Sequence, residues 1–137
     1  MNKDYFSKVR ILDGGMGQHL LSKGLKAKGS LWSGTALIDK KYHQMVIDSH
    51  LDFIKSGADV IVTNNFSTRR VRMVQNNVEE LFDYANEKAG ELALKAKEIS
   101  KKFLNEENFT EIKFSKLTKK DIKNIKSVYF GMCAEVD

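Results

Sequence analysis

Residues 11–17 read ILDGGMG. A short apolar run delivers one acid and then three glycines. Glycine lets a ligand approach the backbone closely and leaves N–H groups free to bind oxygen. Asp13 sets a fixed negative charge beside them. The combination suits a zwitterion, with the carboxylate of an amino acid on the N–H groups and its ammonium on Asp13. A nucleotide phosphate fits less well. The spacing is not G-x-G-x-x-G, no Lys-Ser/Thr pair follows, and Asp13 would repel phosphate. A tight strand-to-helix turn with Asp13 as a capping residue accounts for the same residues equally well.

Elements on both sides must hold this turn. Val9–Leu12 is short, apolar and β-branched at its start, and it reads as a buried strand running into Asp13-Gly14-Gly15. Gly24 and Gly29 follow as loop breakers before the segment LWSGTAL at 31–37. From about Asp39 to Ser56 the pattern is helical, with Val46, Ile47, His50, Phe53 and Ile54 at spacings of three and four. Gly57 is placed to stop that helix. Asp59–Thr63 (DVIVT) reads as a second buried strand ending in Asn64-Asn65-Phe66. Asn77 and Glu80 are spaced like a capping box. Val78, Leu81, Phe82, Ala85, Ala89, Leu92, Ala96, Ile99 and Phe103 then trace one apolar stripe, a core face of a helix reaching about Leu104. Residues 105–126 form a polar, lysine-rich connector with room for one short helix near 118–125, and Ser127–Cys133 (SVYFGMC) reads as a third strand.

Strands that are apolar without alternation are buried on both faces, as in parallel sheets. The expected class is therefore α/β, built from strand, helix, strand, helix, strand. Ligands of such folds gather at the carboxyl ends of the strands. Those ends are Asp13-Gly14-Gly15, Thr63-Asn64-Asn65 and Gly131–Ala134.

Composition narrows the function classes. The 137 residues are 42% hydrophobic, a globular balance with enough chain for one core. No run approaches the roughly 18 apolar residues of a membrane span, and the start MNKDYFSKVRIL has no long apolar stretch of a signal peptide. Neither a membrane nor secretion is expected. With Cys133 as the only cysteine, no internal disulfide is possible, and a reducing, cytoplasmic setting is the simple reading. The net charge of +5 comes from 23 Lys+Arg against 18 Asp+Glu. Lysines and acids alternate along helical stretches as on solvated faces, and we read no arginine-rich patch interleaved with aromatics, so nucleic acid is not expected as a partner. The chain has no proline at all.

Four stretches together resemble the homocysteine S-methyltransferase family. ILDGGMG at 11–17 resembles its opening, roughly I-L-D-G-(A/G)-M-(G/A)-T-x-L. LWSGTAL resembles L-W-S-A-x-x-L. His50, ahead of Ser56-Gly57-Ala58-Asp59, resembles V-H-x-x-Y-x-x-A-G-A-D, and VIVTNNF at 60–66 resembles I-I-x-T-N-T-F. The matches fall in order over residues 9–70.

The resemblance implies the N-terminal part, about three βα units, of a (β/α)8 TIM-type barrel, with residues 1–137 as a partial homocysteine-binding domain. It implies transfer of a methyl group from S-methylmethionine or S-adenosylmethionine to the homocysteine thiolate, giving methionine. A zinc ion held by three cysteines would keep that sulfur deprotonated. Carried onto this chain, Asp13, Gly14 and Gly15 would hold the amino-acid end of homocysteine, Met16 would shape the pocket, and Thr63 and Asn65 would line it. His50 reads as a packed, hydrogen-bonded core histidine rather than a catalytic one, and Trp32 as packing or a lid.

The chain also departs from the family. The zinc cysteines lie downstream in the family, one after a later strand and two in G-G-C-C, and Cys133 matches none of them. Within an apolar strand Cys133 is expected to be inert. GMCAEVD stands where a G-S-x-G-P-like sequence is usual, Gln18 where threonine is common, and Lys40-Lys41 where proline is common. A (β/α)8 barrel needs at least about 200 residues. The expectation is thus an incomplete methyltransferase, supplying only the amino-acid-binding half of the site, with no catalytic residue and no metal ligand of its own. Another chain would cover the open sheet edge. The alternative is a non-catalytic amino-acid-binding module or subunit built on Asp13-Gly14-Gly15.

Overall fold

The computed structural model describes Ser7 and residues 9–104. The connector expected at 105–126, the third strand expected at 127–133 and Cys133 lie outside the described residues. Among the described residues five α-helices follow in order: α1 (Met16–Ser22), α2 (Thr35–Ile38), α3 (His43–Lys55), α4 (Arg70–Gln75) and α5 (Phe82–Leu104). A 3-10 segment at Gly29–Gly34, kinked at Trp32, and single 3-10 turns at Lys40–Tyr42 and Glu79–Leu81 lead into α2, α3 and α5.

The core lies where α3 meets α5, with α1 against α3 and α2 against α5. From α3 come Val46, Ile47 and Leu51; from α5 come Ala85, Ala89, Leu92 and Ala96. The small residues on α5 let the two helices approach closely, and Leu20, Leu31, Leu37 and Met73 fill the space around them. Fully burying one such large side chain contributes about 1.5–3 kcal/mol. Val78, Leu81, Phe82 and Ile99 pack on the margin of this core, so the expected stripe is the face α5 buries. On the opposite side Glu91 pairs with both Lys88 and Lys95.

The ends of α3 follow from sequence chemistry. Asp39 accepts the Lys41 N–H at 3.3 Å and opens the 3-10 turn before the helix. At the other end Gly57 sits at φ +101°, a left-handed value that side chains resist, and its N–H reaches Ile54 O at 3.0 Å.

The expected capping box at Asn77 and Glu80 is not formed. Asn77 sits at φ 55° and donates its N–H to Val74 O at 3.0 Å, so it terminates α4 rather than starting α5. Asparagine is among the few residues that tolerate this region.

The α/β expectation is overturned. The described residues are mostly helical and contain no strand, so the N-terminal portion of a TIM-type barrel is not what they form. Val9–Leu12 and Asp59–Thr63 meet in a single parallel bridge, Leu12 with Val60. Nor are these residues buried on both faces: Val9 is 95%, Leu12 55% and Val62 53% exposed. The hydrogen bonds give the reason. Asp59 and Val60 donate to Ile11 O, and Asp13 N–H donates to Val60 O. Beyond these, side chains replace the ladder: Ile11 N–H goes to the Asp59 carboxylate and Val62 N–H to the Asp13 carboxylate. Each acid caps the pairing at one end. Two short segments paired alone are marginal as strands, whatever their β-propensity.

Candidate functional site

Asp13 sits where the two extended segments join. Its Oδ2 accepts the Val62 N–H at 2.9 Å, and its own N–H holds Val60 O at 2.9 Å. It does not cap α1. Gly15 is the residue before that helix, and no side chain bonds to the helix start. This excludes the capping role that the sequence allowed for it. Burial pushes the Asp13 carboxyl above its ordinary pKa, while hydrogen bonds from Val62 and from its own backbone pull the other way.

The glycines have separate reasons. A Cβ on Gly14 would stand 2.8 Å from the Phe53 ring, and one on Gly17 would stand 2.5 Å from the Trp32 ring. Among the described residues, the N–H groups of Gly14 and Gly15 donate to no acceptor. Two N–H donors without an acceptor among the described residues therefore follow a half-buried carboxylate on one turn. Trp32 itself holds φ 45°, ψ −120°, rare for a bulky residue and worth about 1–3 kcal/mol of strain. Its ring lies against Gly17, which fits the packing role expected for it.

Met16 is 8% exposed and belongs to the core with Leu20 and Leu25. Thr63 and Asn65 are joined to each other. Thr63 Oγ1 donates to Asn65 Oδ1 at 2.9 Å, and Asn65 Nδ2 donates to Asn86 Oδ1 at 3.0 Å. Thr68 Oγ1 donates to Asn65 O at 2.9 Å and also approaches Asn86 Oδ1. Asn86 Nδ2 closes on Phe82 O within α5 at 2.8 Å. The loop after the second segment is thus tied to the long helix by side-chain amides. Asp13 reaches the same loop through Val62, the residue before Thr63. The structure brings Asp13, Gly14 and Gly15 together on one turn, and Thr63 with Asn65 on the neighbouring loop.

Sequence reasoning named Asn64 only as part of a strand end, gave it no role, and passed over Asn86. Asn64 is buried and donates to Ser33 O at 3.1 Å, linking the loop to LWSGTAL. Asn86 carries a legible signal: an amide beside an apolar stripe inside a helix is unfavourable unless it bonds elsewhere.

His50 is fully buried as expected, but neither ring nitrogen has a hydrogen-bond partner among the described residues, so the hydrogen-bonded part of that expectation is corrected. Burial lowers its pKa to about 4, which keeps the ring neutral. His19 of α1 and Lys23 just past its end both reach Asp52 Oδ2 of α3, at 2.9 and 2.6 Å. These contacts hold the Asp52 carboxyl below its ordinary value. Among the described residues no group of three His, Cys, Asp or Glu side chains is placed to hold a metal.

A helical unit with one turn that presents an acid beside open amide donors has groups complementary to both ends of an amino acid. The sequence relationships give the family. The homocysteine S-methyltransferase family model matches residues 10–124, and the chain belongs to that family. It is 27% identical over 88 residues to Homocysteine S-methyltransferase 2 of Saccharomyces cerevisiae, a match covering 58% of this chain and 27% of the yeast protein. It is 29% identical over 91 residues to Homocysteine S-methyltransferase of Escherichia coli, covering 66% of this chain and 29% of that protein. The chain thus spans less than a third of either relative. No solved structure matches it.

Proposed function

We propose that this chain supplies the amino-acid-binding half of a homocysteine S-methyltransferase site, the complete site joining homocysteine to a methyl group from S-methylmethionine or S-adenosylmethionine. One observation carries the reading: among the described residues the N–H groups of Gly14 and Gly15 donate to no acceptor, on the turn that carries the half-buried Asp13 carboxylate. The carboxylate of homocysteine sits on the two N–H groups. Its ammonium sits on the lone pairs of Asp13 that Val62 leaves available. Thr63 and Asn65 stand on the adjoining loop, and Met16 supports the turn from the core beneath it. Val62 fixes the carboxylate in place, so little ordering remains to be done on binding.

Zinc is the group the family resemblance implies. The residues of this chain do not fit it. The chain has one cysteine where three thiolates are needed, and no trio of ligating side chains stands among the described residues. No step through zinc is assigned to this chain. Another polypeptide covering the exposed Val9, Leu12 and Val62 belongs to the same proposal.

Titration of the 137-residue chain with L-homocysteine in a calorimeter tests the reading. Saturable binding that disappears in Asp13→Ala is expected. No binding, or equal binding by the variant, overturns it. The single cysteine also favours a second reading, a non-catalytic amino-acid-binding module. That module would take methionine as readily as homocysteine, because no thiolate site distinguishes them.

A further inference from the structure

Just beyond Asn65 the chain gathers Phe66, Arg69, Arg70 and Arg72, an arginine–aromatic group that the reading of the charge pattern did not register. Phe66 is 68% exposed. The guanidinium carbons of Arg69 and Arg72 stand 4.9 and 5.9 Å from its ring centre. Two like charges are therefore held at one aromatic ring. The loop that holds them is fixed from within, by Thr68 on Asn65 O and by the Asn65–Asn86 amide pair.

The three arginines differ in what remains open on them. Arg70 pairs with Glu79 at 3.1 Å and lies over Phe82. Arg72 donates from one nitrogen to Ser30 O at 3.1 Å, and the same nitrogen lies 3.5 Å from Ser67 Oγ. The Arg69 side chain makes no hydrogen bond or ion pair among the described residues; its contact is the Phe66 ring. A guanidinium carries five N–H donors in a planar fork that matches carboxylate and phosphate oxygens. Stacking of arginine on phenylalanine to hide the ring does not explain the arrangement, because the ring stays largely exposed.

We propose that Phe66, Arg69 and Arg72 form a binding site for an organic anion in which a flat ring is joined to clustered negative charge, as in a nucleoside triphosphate. The anionic groups take the open donors of Arg69 and Arg72, and the flat ring stacks on the exposed part of Phe66. None of these three residues belongs to the Asp13 turn, and the inference does not depend on the methyl-transfer reading.

The test uses the whole chain at low ionic strength, with ATP, inorganic triphosphate and adenosine as probes in calorimetric titrations. ATP is expected to bind saturably and more tightly than triphosphate, with adenosine weakest. Arg69→Gln should weaken ATP and triphosphate by about tenfold, the scale of one lost charge-assisted hydrogen bond. Phe66→Ala should bring ATP down to the affinity of triphosphate. Lys101→Gln, which alters an exposed ion pair on α5, should change neither. Far-UV circular dichroism checks that each variant keeps its helices. Three results overturn the proposal: no saturable binding of ATP, ATP binding unchanged in both site variants, or binding only to a single-stranded oligonucleotide and to none of the small probes.

Discussion

Asp13 accepts the backbone N–H of Val62 at 2.9 Å across 49 residues of sequence. The acid in ILDGGMG thereby joins the two segments that carry the candidate site. It also occupies the position where a further ladder bond would otherwise form. One carboxylate both stops the pairing of the segments and stands ready beside Gly14 and Gly15.

Asp13→Asn should separate these roles. The amide oxygen still accepts from Val62, but the charge that would hold an ammonium is gone. Homocysteine affinity should fall at least about tenfold, the scale of one charge-assisted hydrogen bond. Because burial raises the Asp13 pKa, the folded state holds this proton more tightly than the unfolded chain does. The ionised carboxyl therefore opposes folding at neutral pH, and that opposition fades as pH falls through the raised pKa. Urea denaturation should find the variant at least as stable as the parent at pH 7, with that advantage shrinking toward pH 4.

Gly17→Ala should be destabilising. The added Cβ would meet the Trp32 ring at 2.5 Å, and Trp32 is already held at a strained φ of 45°. A loss of about 1–3 kcal/mol is expected, the range for overpacking. Trp32 is the only tryptophan, so its fluorescence should shift as the ring moves. An unchanged melting temperature and spectrum would mean that the ring does not lie on Gly17.

His50 should make the protein acid-sensitive in a defined window. Its folded pKa is about 4, against an ordinary value of 6.5. Above pH 6.5 the ring is neutral in both states and contributes no pH dependence. Below it the unfolded chain takes up the proton first, so stability falls until about pH 4. The full loss is about 3 kcal/mol. His50→Gln should flatten that part of the pH–stability curve, whatever it does to the stability at pH 7.

Asn86→Ala should loosen the loop that carries Thr63 and Asn65. It removes the acceptor of Asn65 Nδ2 and the cap on Phe82 O. Leaving such groups unpaired costs about 1–3 kcal/mol. Amide hydrogen exchange of residues 63–68 should rise in the variant while that of α3 stays unchanged.

The purified chain, supplied with zinc, homocysteine and S-methylmethionine, should make no methionine above background. One cysteine cannot supply three thiolates. Clear turnover, followed by mass spectrometry, would mean that methyl transfer proceeds on this chain without a three-thiolate zinc site.

The sequence by itself determined the family and the two long helices, α3 and α5, but not the short helices α2 and α4. Four motifs in register named homocysteine S-methyltransferase, and the family model agrees over residues 10–124. The stripes on α3 and α5 were legible because helical burial follows from local spacing. Gly57 was legible for the same reason, since ending a helix is a local event. The strands were not, because a strand exists only through partners distant in sequence. Val9–Leu12 and Asp59–Thr63 have the composition of strands, yet they share one bridge. Tertiary structure alone decided that Asp13 bonds Val62 rather than the start of α1. It alone joined Asn65 to Asn86, 21 residues apart, and set Arg69 and Arg72 around Phe66. Residue types state which groups are available for hydrogen bonds and charge contacts. Which groups meet is settled by packing of the whole chain, where a buried donor or acceptor must find a partner or go without one.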